Sequence, residues 1–203
     1  KTIAMKSVKI LKSISLALVV MAATSSFSQE MSMKKDKKMM AMDTKMVGGA
    51  EMYPTKDIIS NAVNSKDHTT LVAAVKAAGL VETLQGKGPF TVFAPTNEAF
   101  DKLPEGTVSS LLMKENKMKL QSVLTYHVIA GKYNAKDIVK AIKKGKGKAE
   151  FTTVNGAKLT AMLDGTIIKL KDGSGNISTV TIPDVNQSNG VIHVVDTVVL
   201  PGM

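Results

Sequence analysis

The sequence predicts an α+β fold built mainly from antiparallel strands. Helix-period patterns fill the chain between residues 57 and 142, whereas short β-type runs separated by turn residues fill the part from residue 150 on. One early strand, Phe90 to Ala94, lies among the helices. Helices grouped before strands are typical of α+β folds rather than of alternating α/β folds.

The first 28 residues have the layout of a secretory signal peptide. Lysines open the segment, an apolar run from Ile14 to Ala23 follows, and small residues lead up to Ser28. This run is short for a bilayer span, so we expect cleavage after Ser28 and export to the periplasm, the cell surface or the medium. The alternative is an uncleaved anchor helix.

The composition excludes several classes of function. The net charge is +10 over 203 residues, and all 27 basic residues are lysine. Without arginine, base-specific nucleic-acid binding is disfavoured, although lysines attract polyanions without specificity. Four lysines and no acid lie in the first 28 residues, so the net charge of the remainder falls to +6. The absence of cysteine excludes disulfides and thiolate metal sites.

Residues 29–52 are rich in methionine and lysine, and we expect them to form a flexible tether. The alternative interpretation is Cu(I) capture by thioethers, for which the candidate ligands are Met31, Met33, Met39, Met40 and Met42. We expect one folded domain over residues 53–203.

Seven helices and six strands are predicted within this domain. The predicted helices cover residues 57–65, 71–79, 80–85, 97–103, 107–113, 117–129 and 134–142. The predicted strands cover residues 90–94, 150–154, 158–163, 166–172, 177–185 and 190–201. The half-buried strand at Phe90 leads into a helix capped by Thr96 or Asn97, and Asn-Gly and Asp-Gly pairs separate the later strands.

Three segments, in order, closely resemble the fasciclin (FAS1) domain. They are "GPFTVFAPTNEAFDKLP", "LTYHVIAGKY" and "SNGVIHVVDTVVLP", and the resemblance covers about residues 57–201. It implies a FAS1 fold, a wedge-like β-sandwich of mainly antiparallel strands with several helices packed on it. It also implies a secreted or surface-displayed interaction module rather than an enzyme. Its partner would be a surface or matrix protein or a polysaccharide.

The resemblance points to two pairs of partner-binding residues. Adhesive members of the family use an Asp-Ile type motif that here corresponds to Asp184 and Val185; the alternative is that Asp184 simply ends a strand. The family's Tyr-His motif, also linked to adhesion, corresponds to Tyr126 and His127. Because His127 falls on an apolar helical face, a hydrogen-bonded core role is the alternative for it, and we expect Tyr126 to be the one that touches solvent.

The densest basic run of the domain supplies a third candidate site. Lys143, Lys144, Lys146 and Lys148 lie within six positions and can contact a polyanion. The alternative is a solvated loop.

We expect neither catalysis nor a cofactor or metal. The sequence has no G-x-S-x-G nucleophile motif, and His68, His127 and His193 are spread along the chain. A second class of function remains open, because some fasciclin-type proteins carry apolar small molecules such as carotenoids.

Overall fold

The structure, a computed structural model, describes residues 44–202. The predicted signal peptide, the five methionines considered as copper ligands and most of the predicted tether lie outside the described residues. The described helices are α1 (Ile58–Ala62), α2 (Thr69–Ala78), α3 (Val81–Gln85), α4 (Asn97–Asp101), α5 (Thr107–Leu111), α6 (Lys117–Tyr126) and α7 (Ala135–Lys144). The described strands are β1 (Lys45–Val47), β2 (Ala50–Met52), β3 (Phe90–Pro95), β4 (Val128–Ala130), β5 (Lys148–Thr152), β6 (Lys158–Asp164), β7 (Ile167–Lys171), β8 (Ile177–Gln187) and β9 (Gly190–Val195).

Seven of these strands form one sheet in the order β4-β3-β9-β8-β7-β6-β5. Neighbouring strands are antiparallel except for β3 and β9, which run parallel with Phe90 opposite Gly190 and Pro95 opposite Val195. The predicted α+β fold with a mainly antiparallel sheet is confirmed.

The sheet folds back so that its two outer strands meet. Ile129, in β4, forms a single antiparallel bridge with Thr153, just after β5. Beside it, the backbone N–H of Val154 donates a hydrogen bond to the carbonyl of Val128 at 2.8 Å. The sheet thus becomes two layers around an inner core, to which six strands, α6 and α7 contribute apolar residues.

Strands β3 and β9 are buried on both faces, so the expectation of a half-buried strand at Phe90 is wrong. Because successive side chains of a strand point to opposite faces, Phe93 enters the inner core while Val92 and Ala94 enter a second core. This helical core lies between the sheet and α1 to α6.

The folded domain begins before Tyr53, which corrects the predicted tether. Strands β1 and β2 form a hairpin through Gly48 and Gly49, both at positive φ, as a tight two-residue turn requires. Val47 and Met52 are buried in the helical core, at 4% and 2% exposure. Burial of two apolar side chains explains why this segment is not a free tether.

Helix α6 is three residues shorter than the predicted helix over residues 117–129. It ends at Tyr126, His127 is its C-cap, and β4 follows at once. Strand β4 pairs with β3, with Val128 opposite Val92, and this pairing prevails over the continuing helical pattern.

Candidate functional site

Tyr126 is fully buried, so the expectation that it touches solvent is wrong. Its hydroxyl donates a hydrogen bond to the carbonyl of Lys158 at 2.7 Å and accepts one from the backbone N–H of Gly173 at 2.9 Å. Burial raises the pKa of this phenol, which stays protonated. Tyr126 therefore joins α6 to the start of β6 and to the turn after β7, and it presents no surface to a partner.

His127 is also held inside the protein, at 2% exposure. Its Nδ1–H donates to the carbonyl of Val123 at 2.8 Å, and its Nε2 accepts from the backbone N–H of Val199 at 3.2 Å. Burial lowers its pKa to about 4, so the ring is neutral at pH 7. These contacts give His127 a core role.

Asp184 lies inside β8, not at its end, and Val185 is 1% exposed in the helical core. Asp184 sits in an irregularity of the β8–β9 pairing with φ at +56°. Its Oδ1 accepts a hydrogen bond from the backbone N–H of Ala135 at 2.6 Å. The strand-end interpretation is therefore wrong, and Val185 has no surface with which to add apolar contact to a partner.

His193 completes this network from the neighbouring strand. Its Nδ1 accepts from the backbone N–H of Asp184 at 3.2 Å, and its Nε2–H donates to the carbonyl of Tyr133 at 2.8 Å. Burial lowers the pKa of the imidazole, which also stacks on Phe93 with ring centroids 5.7 Å apart. Sequence reasoning missed the pair, although counting outward equally from the Ser188-Asn189 turn places Asp184 opposite His193.

The four predicted lysines are exposed, and α7 extends their cluster. Lys136, Lys140 and Lys143 follow one another at helical spacing on α7, and all are exposed. Ile138 and Ile142, on the opposite face, are 1% exposed. We call the lysine face the exposed set Lys136, Lys140, Lys143, Lys144, Lys146 and Lys148. Sequence reasoning missed Lys136 and Lys140, although the spacing of positions 136, 140 and 143 indicates them.

The lysine face is weakly neutralised. None of its lysines takes part in the ion pairs found among residues 44–202. Two exposed acids, Asp137 and Glu150, lie in the same stretch of sequence. Asp137 is engaged as a helix cap, because its Oδ2 accepts from the backbone N–H of Asn134 at 3.1 Å.

An apolar cavity lies between the helices and the sheet. The volume of this cavity, counted as the space that the centre of a water molecule can reach, is about 40 Å³. Its walls include Ile58, Leu71, Val75, Leu84, Leu124 and Ile192. A carotenoid is far larger, so α1 to α3 would have to move for this cavity to hold one.

The described residues hold no cluster of metal-ligating side chains. No group of three or more His, Asp or Glu side chains in this range is placed to hold a metal ion. Nδ1 of His68, the third histidine, lies 2.8 Å from the hydroxyl of Ser65, and burial lowers its pKa. No helix in the described range is long and apolar enough to cross a membrane.

The chain matches the model of a known protein family. A fasciclin domain model matches residues 66–201. The chain belongs to the fasciclin family. Protein sll1483 of Synechocystis sp. is 48% identical over 148 residues, 72% of this chain and 74% of that protein. The cell surface glycolipoprotein MPB83 of Mycobacterium bovis is 35% identical over 150 residues, 71% of this chain and 60% of that protein.

A solved structure supports the fasciclin fold directly. A FAS1 domain pair from the insect cell adhesion molecule fasciclin I superposes with a TM-score of 0.65. The match covers 77% of this chain and 57% of that one, at 18% identity. The relatives of this chain include a cell surface glycolipoprotein.

Proposed function

We propose that this protein is an exported, non-enzymatic adhesion module that associates with an anionic polymer of the cell envelope or matrix through its lysine face. The observation that carries the proposal is the exposure of all six lysines in a fasciclin domain. Tyr126, His127 and Val185 are buried and Asp184 is half-buried, so the lysine face is the candidate site whose residues are all exposed.

The positive charge of the lysine face favours a negatively charged partner. Four of the lysines lie on α7, and two more continue through the turn into β5. A line of lysines outside any ion pair of the described residues attracts a linear polyanion, such as an acidic polysaccharide, over distances of about a Debye length. Such attraction weakens as salt is added.

The test is retention of the mature protein, residues 29–203, on envelope and matrix fractions and on an acidic polysaccharide. The lysine-face variant replaces Lys143, Lys144, Lys146 and Lys148 by Gln. The matched control replaces the exposed lysines Lys66, Lys76, Lys87 and Lys171 by Gln and removes the same net charge. We expect salt-sensitive retention of the wild type and the control, and loss of retention in the lysine-face variant.

Three results would contradict this function. Equal retention of all three proteins would exclude Lys143, Lys144, Lys146 and Lys148 as the binding contact, and retention unchanged between low and high salt would exclude electrostatic attraction as the main force. If the wild type were retained on none of the fractions, adhesion itself would be contradicted.

The apolar cavity favours a second candidate, carriage of a small apolar molecule. Its walls are almost wholly aliphatic, which suits a ligand without polar groups. Extraction of the protein purified from its native source with organic solvent would then release an apolar compound in an amount stoichiometric with the protein. A colourless preparation with an empty extract would contradict the carrier function.

A further inference from the structure

A second surface combines exposed apolar and basic side chains. Leu112, Met113 and Met118 are 37%, 55% and 82% exposed. They lie between the end of α5 and the first turn of α6, among three exposed lysines. We call the set of Leu112, Met113, Met118, Lys114, Lys117 and Lys119 the amphipathic patch.

The fold itself turns these apolar side chains outward. Helix α5 has no fully buried residue. In α6, Leu120 and Leu124 enter the helical core, whereas Met118 precedes Leu120 by two residues, about 200° around the helix. Met118 therefore projects away from the core.

The connection between the two helices is held in shape. The side-chain amide of Asn116 donates to the carbonyl of Ser110 at 2.8 Å and to its hydroxyl at 3.2 Å. This bond ties the turn before α6 to the last turn of α5, so the methionines on either side of it are presented from a fixed backbone.

The lysines of the patch carry charge that the described part of the chain does not neutralise. Lys114, Lys117 and Lys119 take part in neither of the ion pairs found within residues 44–202. One acid, the exposed Glu115, lies among them in sequence. Exposed lysines beside exposed apolar side chains are complementary to an anionic surface with an apolar interior.

We propose that the amphipathic patch docks the domain on an anionic phospholipid surface. The methionines enter the boundary between headgroups and acyl chains, and the lysines lie against the phosphates. The patch has no aromatic side chain, so it lacks the residues that most often anchor a protein partner. The patch is distinct in sequence from the lysine face, so the proposal does not depend on the polymer-binding function.

The test measures partition of residues 29–203 into sedimenting vesicles of phosphatidylcholine, with and without phosphatidylglycerol. One variant carries Met113→Ser and Met118→Ser, and another carries Lys114→Gln, Lys117→Gln and Lys119→Gln. The matched control carries Val63→Ser and Val154→Ser, which are also exposed apolar positions. The lysine-face variant is run beside them.

We expect the wild type to bind vesicles that contain phosphatidylglycerol. Binding should fall about tenfold in the methionine variant and at least about tenfold in the lysine variant. The control and the lysine-face variant should bind as the wild type does. Far-UV circular dichroism verifies that each variant is folded.

Three results would overturn the proposal. They are absence of wild-type binding to anionic vesicles, equal binding to pure phosphatidylcholine, and loss of binding only in the lysine-face variant. Sedimentation of the protein alone tests for a second copy as the occupant. A dimer that the methionine variant abolishes would replace the membrane with a protein partner.

Discussion

The carboxylate of Asp184 accepts a hydrogen bond from the backbone N–H of Ala135 at 2.6 Å, across 49 positions of sequence. The bond ties β8 to the first turn of α7, the helix that carries four of the six residues of the lysine face. Asp184 thus stabilises the fold beside the candidate site, through a hydrogen bond to the helix that presents the lysines.

Replacement of Asp184 by Ala should destabilise the domain. The change leaves the N–H of Ala135 without its partner and puts alanine at φ +56°, where aspartate and asparagine are better tolerated. We expect a loss of about 1–3 kcal/mol in the free energy of unfolding, measured with urea. Asp184→Asn keeps an acceptor and the tolerance of positive φ, so it should lose less.

Binding separates this structural role from the partner-binding role. Folded Asp184→Ala protein should be retained on the anionic polymer as well as the wild type is. A folded variant of normal stability that no longer binds would show that the carboxylate contacts the partner, as the resemblance implies.

Tyr126→Phe tests the burial of the Tyr-His motif. The hydroxyl makes hydrogen bonds to residues 32 and 47 positions along the chain, and its loss removes one partner each from the carbonyl of Lys158 and the backbone N–H of Gly173. We expect about 1–3 kcal/mol of destabilisation in urea unfolding. Tyr53→Phe is the control, because that phenol is partly exposed and bonds to Glu51, and it should change stability little. Equal effects of the two changes would contradict the core role of Tyr126.

The sequence pattern predicted the helices and strands of this fold better than it predicted which side chains are buried. The helices and the strands after residue 148 follow from spacing and turn residues. The environment of Tyr126 does not, because Lys158 and Gly173 close over it only when β6 and the turn after β7 return to the core. The lysine face could be predicted because solvent exposure of α7 depends on its own amphipathic pattern.

The burial of the hairpin of β1 and β2 also could not be predicted from the local sequence pattern. Its six strand residues form too short a pair to be stable alone, and burial of Val47 and Met52 against the domain supplies the stability. The Gly48-Gly49 turn was visible in sequence, but the surface that covers the two side chains was not.

Met52→Ala tests whether the hairpin belongs to the folded domain. Met52 is 2% exposed, so truncation leaves a cavity and should cost about 2–5 kcal/mol in thermal or urea unfolding. Met46, in the same hairpin, is 59% exposed, and Met46→Ala should be nearly neutral. If Met52→Ala were as stable as Met46→Ala, the hairpin would contribute no more than a tether does.

The buried histidines predict that the domain loses stability in mild acid. His127 has its pKa lowered to about 4 by burial, and burial lowers those of His193 and His68 as well. The unfolded chain binds protons at these positions below a pH of about 6.5, whereas the folded state stays neutral, so the free energy of unfolding falls as the pH falls. For His127 alone the loss between pH 7.5 and 4.5 is about 2–3 kcal/mol.

His127→Asn isolates that contribution. The asparagine amide can donate to the carbonyl of Val123 in place of Nδ1–H, and it does not titrate. Urea unfolding at pH 7.5 and at pH 4.5 should show a smaller difference for the variant than for the wild type, by about the share of one histidine. Asp57 and Asp196, whose pKa values are lowered because hydrogen bonds outweigh burial, add their own loss only below about pH 4. The same pH dependence in both proteins would therefore mean that His127 is hydrated or charged in the folded state, contrary to its contacts with Val123 and Val199.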